Sequence, residues 1–201
     1  MIIRKRGKLI ILSGPSGSGK STVLKGVMER LSNAYFSISM TTRGPRPGEV
    51  AGRDYLYVTE ETFLKTLDEG GLLEHNYHFS NWYGTPRGPI EERLNQAADV
   101  LLDIEVEGAA QVKGKMPEAV TIFLFPPSME ELEQRLRARD TDALEEKILR
   151  RLERARKEYA RALFYDYLVI NDTVDEAIEE VLAIIKAEHC KLESRRHLIA
   201  E

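Results

Sequence analysis

The sequence predicts an α/β fold, a parallel-sheet core flanked by helices that carries an inserted antiparallel sheet and a charged helical segment. Three observations lead there. Short apolar runs recur at Leu9 to Leu12, Val100 to Leu102, Val120 to Phe125 and Tyr167 to Ile170, as strands buried on both faces of a parallel sheet require. The first run stops at Ser13-Gly14 and is followed by Val23, Leu24, Val27, Met28 and Leu31 at helical spacing, which makes half of a βαβ unit. From Tyr35 to about Gly88 the period changes to two. Phe36, Ile38 and Met40 alternate with Ser37 and Ser39, and Tyr55 to Val58 and Leu72 to Tyr77 lie between Gly and Pro turns.

Helix signals complete the layout. Phe63, Leu64 and Leu67 share one side of a short helix that stops at Gly70-Gly71. After Pro126-Pro127, Ser128 and Glu131 form a capping-box pattern, and a charged helical region that carries Leu132, Leu136, Ile148, Leu149 and Leu152 runs to about Ala162. A break near Asp140-Thr141-Asp142 divides it into two helices. Thr173 and Glu176 start the last helix in the same way, with Ala177, Ile178, Val181, Leu182 and Ile185 facing the core.

Composition limits the partners. A chain of 201 residues that is 42% hydrophobic buries one core, so one folding unit is expected. Its net charge of −4 gives no global basic field, and neither nucleic acid nor an anionic membrane is an expected partner. The single cysteine, Cys190, excludes an intramolecular disulfide framework and reads as an inert thiol. Leu9 to Leu12, although preceded by Arg4, Lys5, Arg6 and Lys8, is too short for a signal peptide or a membrane span, and the expected location is the cytoplasm. His75 and His78 have no third metal ligand nearby and read as packing or surface histidines. Lys191, Arg195, Arg196 and His197 read as a solvated helix end.

The string Gly14-Pro15-Ser16-Gly17-Ser18-Gly19-Lys20-Ser21 is a complete phosphate-binding P-loop, standing between strand and helix as that motif requires. Its glycines let consecutive backbone N–H groups turn toward phosphate oxygens, and the helix N-terminus adds its positive end. Lys20 reaches the β- and γ-phosphates and the Ser21 hydroxyl ligates magnesium; Thr22 extends the set of ATP-binding residues. Asp103, at the end of its apolar run, has the position of an acidic residue near magnesium, or of a solvated strand-end carboxylate. A GTPase would need an Asn-Lys-x-Asp motif, which is absent, and Asp68 to Gly71 matches Asp-x-x-Gly at a helix end rather than after a strand. The loop alone leaves the other P-loop classes open.

Arg43 and Arg46 stand three apart in a loop stiffened by Pro45 and Pro47, which suits a phosphate, although a solvated basic loop has the same composition. Together with Ser39, the Thr41-Thr42-Arg43-Gly44-Pro45-Arg46 string, Glu49 and Asp54-Tyr55, this region resembles the signature of guanylate kinases. The resemblance covers nearly the whole chain. It includes the P-loop, Glu74 in Leu72-Leu73-Glu74, Tyr83-Gly84-Thr85, Asp103-Ile104, Pro126-Pro127-Ser128, the arginines of the next helices, and Val169 to Asp172.

That resemblance implies ATP-dependent phosphorylation of GMP to GDP, with magnesium as cofactor and ATP as co-substrate, in purine nucleotide metabolism. It implies that Arg43, Arg46, Tyr55 and Tyr83 hold the GMP phosphate, that Glu74, Ser39 and Thr85 read guanine, and that Asp103 and Glu105 line the same site. Arg135, Arg139 and Arg151 would close from a mobile lid and act in catalysis with Lys20 and Arg43, and Asn171 would lie near the adenine of ATP. The implied division is a core of residues 1–34, 97–127 and 165–201, a GMP-binding subdomain of 35–96, and a lid of about 128–164. Asp103-Ile104-Glu105-Val106-Glu107-Gly108 departs from the family's Asp-Ile-Asp followed by x-Gln-Gly, and Asp140 replaces a usual glycine. One extra residue after Arg139 leaves Arg150 and Arg151 as alternatives for one lid arginine. The rival reading is a catalytically silent guanylate-kinase-like interaction domain, against which the intact Lys20, Ser21, Arg43 and Arg46 stand. A kinase for another monophosphate is opposed by Glu74, Ser39 and Thr85.

Overall fold

The computed structural model describes residues 6–139 and 144–199. The chain begins with β1 (Leu9–Ser13), α1 (Lys20–Arg30) and β2 (Ala34–Phe36), then β3 (Met40–Thr41), β4 (Leu56–Tyr57), α2 (Glu60–Asp68), β5 (Leu72–His78) and β6 (Asn81–Pro86). Next come α3 (Arg87–Asn95), β7 (Asp99–Asp103), α4 (Val106–Lys115), β8 (Val120–Phe125), α5 (Met129–Arg139) and α6 (Glu145–Arg161). A 3₁₀ turn at Ala162–Phe164 leads to β9 (Tyr167–Ile170), α7 (Val174–Cys190) and α8 (Leu192–Arg195).

The core sheet has the order β2-β7-β1-β8-β9 and is wholly parallel. Every residue of β1 is buried, because helices cover both faces. Ile10 and Leu12 pack with Val23, Val27, Ile178 and Val181 of α1 and α7, while Leu9 and Ile11 pack with Ile90, Leu94 and Val112 of α3 and α4. The continuous apolar run is the direct consequence of that double burial.

Two readings of the alternating region change. The run Phe36-Ile38-Met40 is not one strand of the inserted sheet: β2 pairs with β7 in the core, Ser37 N donates to the Leu101 carbonyl at 3.0 Å, and β3 begins the second sheet. A period of two places alternate residues on opposite faces and carries no information about which sheet receives the strand. The second sheet, ordered β4-β3-β6-β5, is antiparallel at β3–β6 and β5–β6 but parallel at β3–β4. The loop from Thr42 to Tyr55 is long enough to carry the chain back to its starting edge, as a parallel pair requires and a hairpin does not.

The helices fall where their signals lie. Ser128 Oγ accepts from Glu131 N at 3.1 Å, and Thr173 Oγ1 donates to Glu176 Oε2 at 2.7 Å. Leu132, Leu136, Ile148, Leu152 and Ala155 form a small apolar cluster of their own between α5 and α6. Phe63 is the buried residue of α2, while Leu64, read on the same side, is exposed, as is Leu149 of α6. The expected break at Asp140 to Asp142, and the Asp140 substitution, lie outside the described residues, as do Arg4 and Lys5. Cys190 is exposed at the end of α7.

The β5–β6 hairpin turns through Phe79 and Ser80, with φ of 48° and 61°, the left-handed pair that a two-residue type I′ turn demands. Neither residue is the glycine that adopts this region without strain. Ser80→Gly is expected to stabilise the protein by about 0.5–1 kcal/mol and to raise its melting temperature by about 2–4 °C. A lower melting temperature on differential scanning calorimetry contradicts that account of the turn.

Candidate active site

At the C-terminal end of β1 the chain makes its P-loop. Gly17 and Gly19 have φ of 94° and 93°, and Gly19 is the N-cap of α1. A side chain at Gly19 would meet Asn171 Nδ2 at 2.2 Å, and one at Gly14 the Leu124 carbonyl at 2.2 Å, so the loop is packed from behind. Lys20 Nζ donates to the Gly14 carbonyl at 2.6 Å, bent back across the loop. Pro15 and Ser18 are buried, whereas Ser16, Ser21 and Thr22 are exposed, the last two on the first turn of α1.

Asn171 lies behind this loop and is 2% exposed. Its Nδ2 donates to the Ser18 carbonyl at 2.7 Å, and its own carbonyl accepts from Arg135 at 3.1 Å. Asn171 thus links the P-loop to α5. Nothing in its sequence setting announced this bracing contact, which spans the chain.

Across the cleft, Arg43 forms a two-pronged pair with Glu49 at 2.9 and 3.0 Å. Tyr57 donates to the same carboxylate at 2.7 Å, as does the Arg46 backbone N–H at 2.7 Å. These donors, Arg43 first, hold the Glu49 carboxyl down at about 2. The Arg43 guanidinium lies 5.3 Å from the centre of the Tyr55 ring, and Tyr55 and Tyr83 meet edge-on at 6.1 Å. Arg46 keeps an exposed side chain, and the Ser39 carbonyl accepts from Leu56 N at 2.9 Å. Arg43, Tyr55 and Tyr83 are therefore one cluster. Tyr57, absent from the sequence-based set, completes the clasp.

Glu74 on β5 is 7% exposed and accepts from Thr85 Oγ1 on β6 at 2.6 Å. Burial pushes its carboxyl up, the Thr85 hydroxyl draws it down, and nearby Glu105 adds to the upward push. Gly108 is the reason it fits: a side chain there would meet Glu74 Oε2 at 2.9 Å. Asp103, at the end of β7, is pushed up by burial, with Lys20 opposing and Glu105 assisting. Ser13 Oγ donates to the Ile104 carbonyl at 2.8 Å and fixes the turn between Asp103 and Glu105.

From the other side α5 and α6 supply arginines. Arg135 is held by Glu131 at 2.8 Å and by the Asn171 carbonyl, whereas Arg139 ends α5 exposed. Arg150 is exposed and paired with Glu146 at 2.6 Å, while Arg151 is half-buried. Arg154 and Glu158, on the Arg151 face of the helix by their spacing of three and seven, reach Glu105 and the surroundings of Lys20. The helical period from Arg151 would have found both. His75 is engaged by Gln111, and among the described residues no group of three His, Cys, Asp or Glu side chains is placed to hold a metal. A cavity of about 1010 Å³ lies elsewhere, lined by Lys8, Asn33, Lys186 and Arg195, and contains none of the predicted site residues.

The family model described as guanylate kinase matches residues 6–188. The chain belongs to the guanylate kinase family. It is 50% identical to the guanylate kinase of Oceanobacillus iheyensis over 96% of this chain and 93% of that protein. It is 51% identical to that of Thermus thermophilus, over 91% and 82% respectively. The crystal structure of guanylate kinase from Anaplasma phagocytophilum, 32% identical, superposes with a TM-score of 0.72 over 94% of this chain and 89% of that one. Relatives named guanylate kinase at this coverage make the chain an enzyme of that family.

The clasp has a titration signature. Because the folded pKa of Glu49 is depressed from 4.5 to about 2, its stabilising effect is present above about pH 4.5 and is lost as pH falls through about 2. Carboxyl-carbon NMR is expected to show a Glu49 midpoint near 2, moving up toward 4.5 in Arg43→Gln. A wild-type midpoint near 4.5 contradicts the clasp.

Proposed function

We propose that the cleft between the P-loop, the Arg43 clasp and the α5–α6 helices is where this guanylate kinase transfers the γ-phosphoryl group of ATP to the phosphate of GMP. The observation that carries the reading is a complete P-loop, whose Lys20 acts on Asp103, together with a buried carboxylate, Glu74, and both acids feel the same Glu105. Guanine presents N1–H and an exocyclic NH₂ side by side, and one carboxylate accepts both. Adenine offers an acceptor at N1 and would face that carboxylate with a lone pair. A buried hydrogen-bonding site rejects the wrong base strongly, since its own polar groups are then unpaired. Thr85 holds Glu74 in orientation, and Ser39 stands at the entry to the same sheet.

In the donor half, Gly14 to Thr22 receive the ATP phosphates through backbone N–H groups and the start of α1, and Lys20 leaves the Gly14 carbonyl to reach the β- and γ-phosphates. Ser21 and Asp103 offer hard oxygen donors beside Lys20, a donor set that suits magnesium, and the ion when bound would offset phosphate charge. In the acceptor half, Arg43 and Arg46 with Tyr55 and Tyr83 hold the GMP phosphate in line with the γ-phosphate. Asp103 and Glu105 line its base side. Arg135, Arg139 and Arg151 neutralise the charge that spreads over the equatorial oxygens in transfer. Arg151 is the better placed of the adjacent pair, because Arg150 points to solvent and to Glu146. No side-chain nucleophile is needed.

The division into core, residues 35–96 as acceptor subdomain, and about 128–164 as lid fits this chemistry. The apolar cluster that α5 and α6 share lets them move as a body, with Tyr159 against Phe125 of β8, ring centres 4.0 Å apart, as an apolar contact with the sheet. No helix among the described residues is long and apolar enough to cross a membrane, and we place the reaction in the cytoplasm with ATP and GMP as small-molecule partners.

The test is ADP formation from magnesium-ATP with GMP, AMP, CMP and UMP offered separately. GMP is expected to be the preferred acceptor, and Lys20→Ala to lower turnover by at least about 10²-fold with an unchanged melting temperature. Faster turnover with AMP or UMP overturns the acceptor reading. Full activity in Lys20→Ala overturns the P-loop assignment.

A further inference from the structure

Three parts of the fold meet at one carboxylate. Glu105, between β7 and α4, lies 2.8 Å from the Arg154 guanidinium on α6 and 3.2 Å from His78 Nε2 at the end of β5. Arg154 is braced from its own helix by Glu158, Nε to Oε1 at 2.9 Å. Glu158 is the better buried of the two, its side chain 12% exposed, and it senses Lys20. The line from Lys20 through Glu158 and Arg154 to Glu105 therefore runs from the donor half of the cleft to the acceptor half.

We propose that Arg154 is a positioning residue: by pairing with Glu105 it holds α6 down over the acceptor site and offsets the carboxylate charge that the GMP phosphate must approach. The proposal rests on the reading of α5–α6 as a lid. Other polar contacts among the described residues tie these helices to the core. Arg135 binds the Asn171 carbonyl beside the P-loop, and Arg161 pairs with Glu107 at 2.6 Å, next to the 3₁₀ turn where α6 ends. Neither touches the acceptor acids. The Arg154 contact does, because Glu105 acts electrostatically on both Glu74 and Asp103. A pair made when the lid is down and lost when it lifts shifts the open–closed balance by its own strength, and so couples closure to acceptor binding.

The size of the effect follows from exposure. The side chains of Arg154 and Glu105 are 51% and 49% exposed, so the pair is half-solvated and salt-sensitive. Arg154→Ala is expected to raise the KM for GMP by about two- to fivefold while leaving the KM for ATP nearly unchanged. Arg154→Lys restores most of the loss. In a Glu105→Gln background Arg154→Ala is expected to raise the KM for GMP by less than it does alone, because the pair with residue 105 is already lost and the contact with Glu158 is what remains to be removed.

The deciding experiment follows closure directly. Donor and acceptor dyes are placed at Leu149→Cys and Phe79→Cys, both exposed, in a Cys190→Ser background, and single-molecule energy transfer is read with and without a bisubstrate analogue joining adenosine to guanosine through phosphates. The analogue is expected to close the parent and every Arg154 variant. The unliganded closed-to-open ratio is expected to fall about two- to fivefold in Arg154→Ala, to recover in Arg154→Lys, and to lose its dependence on residue 154 in about 0.5 M salt. An Arg154→Ala ratio and GMP KM equal to the parent's overturn the proposal while leaving the lid in place. Energy transfer that the analogue does not change overturns the lid reading, and this proposal with it.

Discussion

Free carbonyls of the P-loop compete with its amides for the space that faces a phosphate, and side chains hold two of them back, Lys20 only until it turns to the phosphate and Asn171 throughout. Lys20 takes the Gly14 carbonyl at 2.6 Å, and Asn171 takes the Ser18 carbonyl at 2.7 Å. Asn171 is in turn fixed at the end of β9, its N–H donating to the Phe125 carbonyl at 2.7 Å. The parallel sheet is thus the frame on which an anion-binding loop is strung. Buried polar contacts of this kind are costly to leave unmade, which gives the loop one conformation rather than many. The same asparagine carbonyl receives Arg135, so the arginine helices are referenced to the loop they serve.

The cleft then faces an electrostatic conflict. In the proposed reading it brings together two anionic nucleotides, with the acids Glu74, Asp103, Glu105 and Glu158 around them. Three of these acids have a partner in direct contact, Thr85 for Glu74 and Arg154 for Glu105 and Glu158, and Asp103 is offset electrostatically by Lys20. On the phosphate side the opposite arrangement holds. Glu49 orients Arg43 and leaves the tyrosines around it, an arrangement that preorganises a guanidinium without spending its charge in the open.

Much of this was legible in the residues. The four apolar runs became β1, β7, β8 and β9; the first three are buried along nearly their whole length, whereas β9 is an edge strand with Leu168 and Ile170 exposed. The P-loop was readable for a similar reason: the Leu124 carbonyl against Gly14 and the Asn171 side chain against Gly19 exclude a side chain at either position. The capping residues Ser128 and Thr173 likewise announce their helices locally. Other features depend on partners distant in the chain. The assignment of β2 to the core sheet rests on β7, more than sixty positions on, and Asn171 braces a loop 153 residues away. Glu105 read as an acid facing the acceptor, whereas its partner Arg154 is one of many charged residues on α6 and acquires meaning from the packing of that helix. Gly108 was visible as part of a motif, but its closeness to Glu74 is a property of the α4–β5 contact.

The central claim is that the Glu74 carboxylate reads the guanine edge. The direct measurement compares kcat/KM for GMP with that for inosine monophosphate, which keeps N1–H and lacks the exocyclic NH₂, in the wild type and in Glu74→Gln. The account predicts a wild-type preference for GMP of at least about 10²-fold that collapses in the variant through loss of GMP activity. An unchanged preference in Glu74→Gln would contradict it and place base recognition on another group.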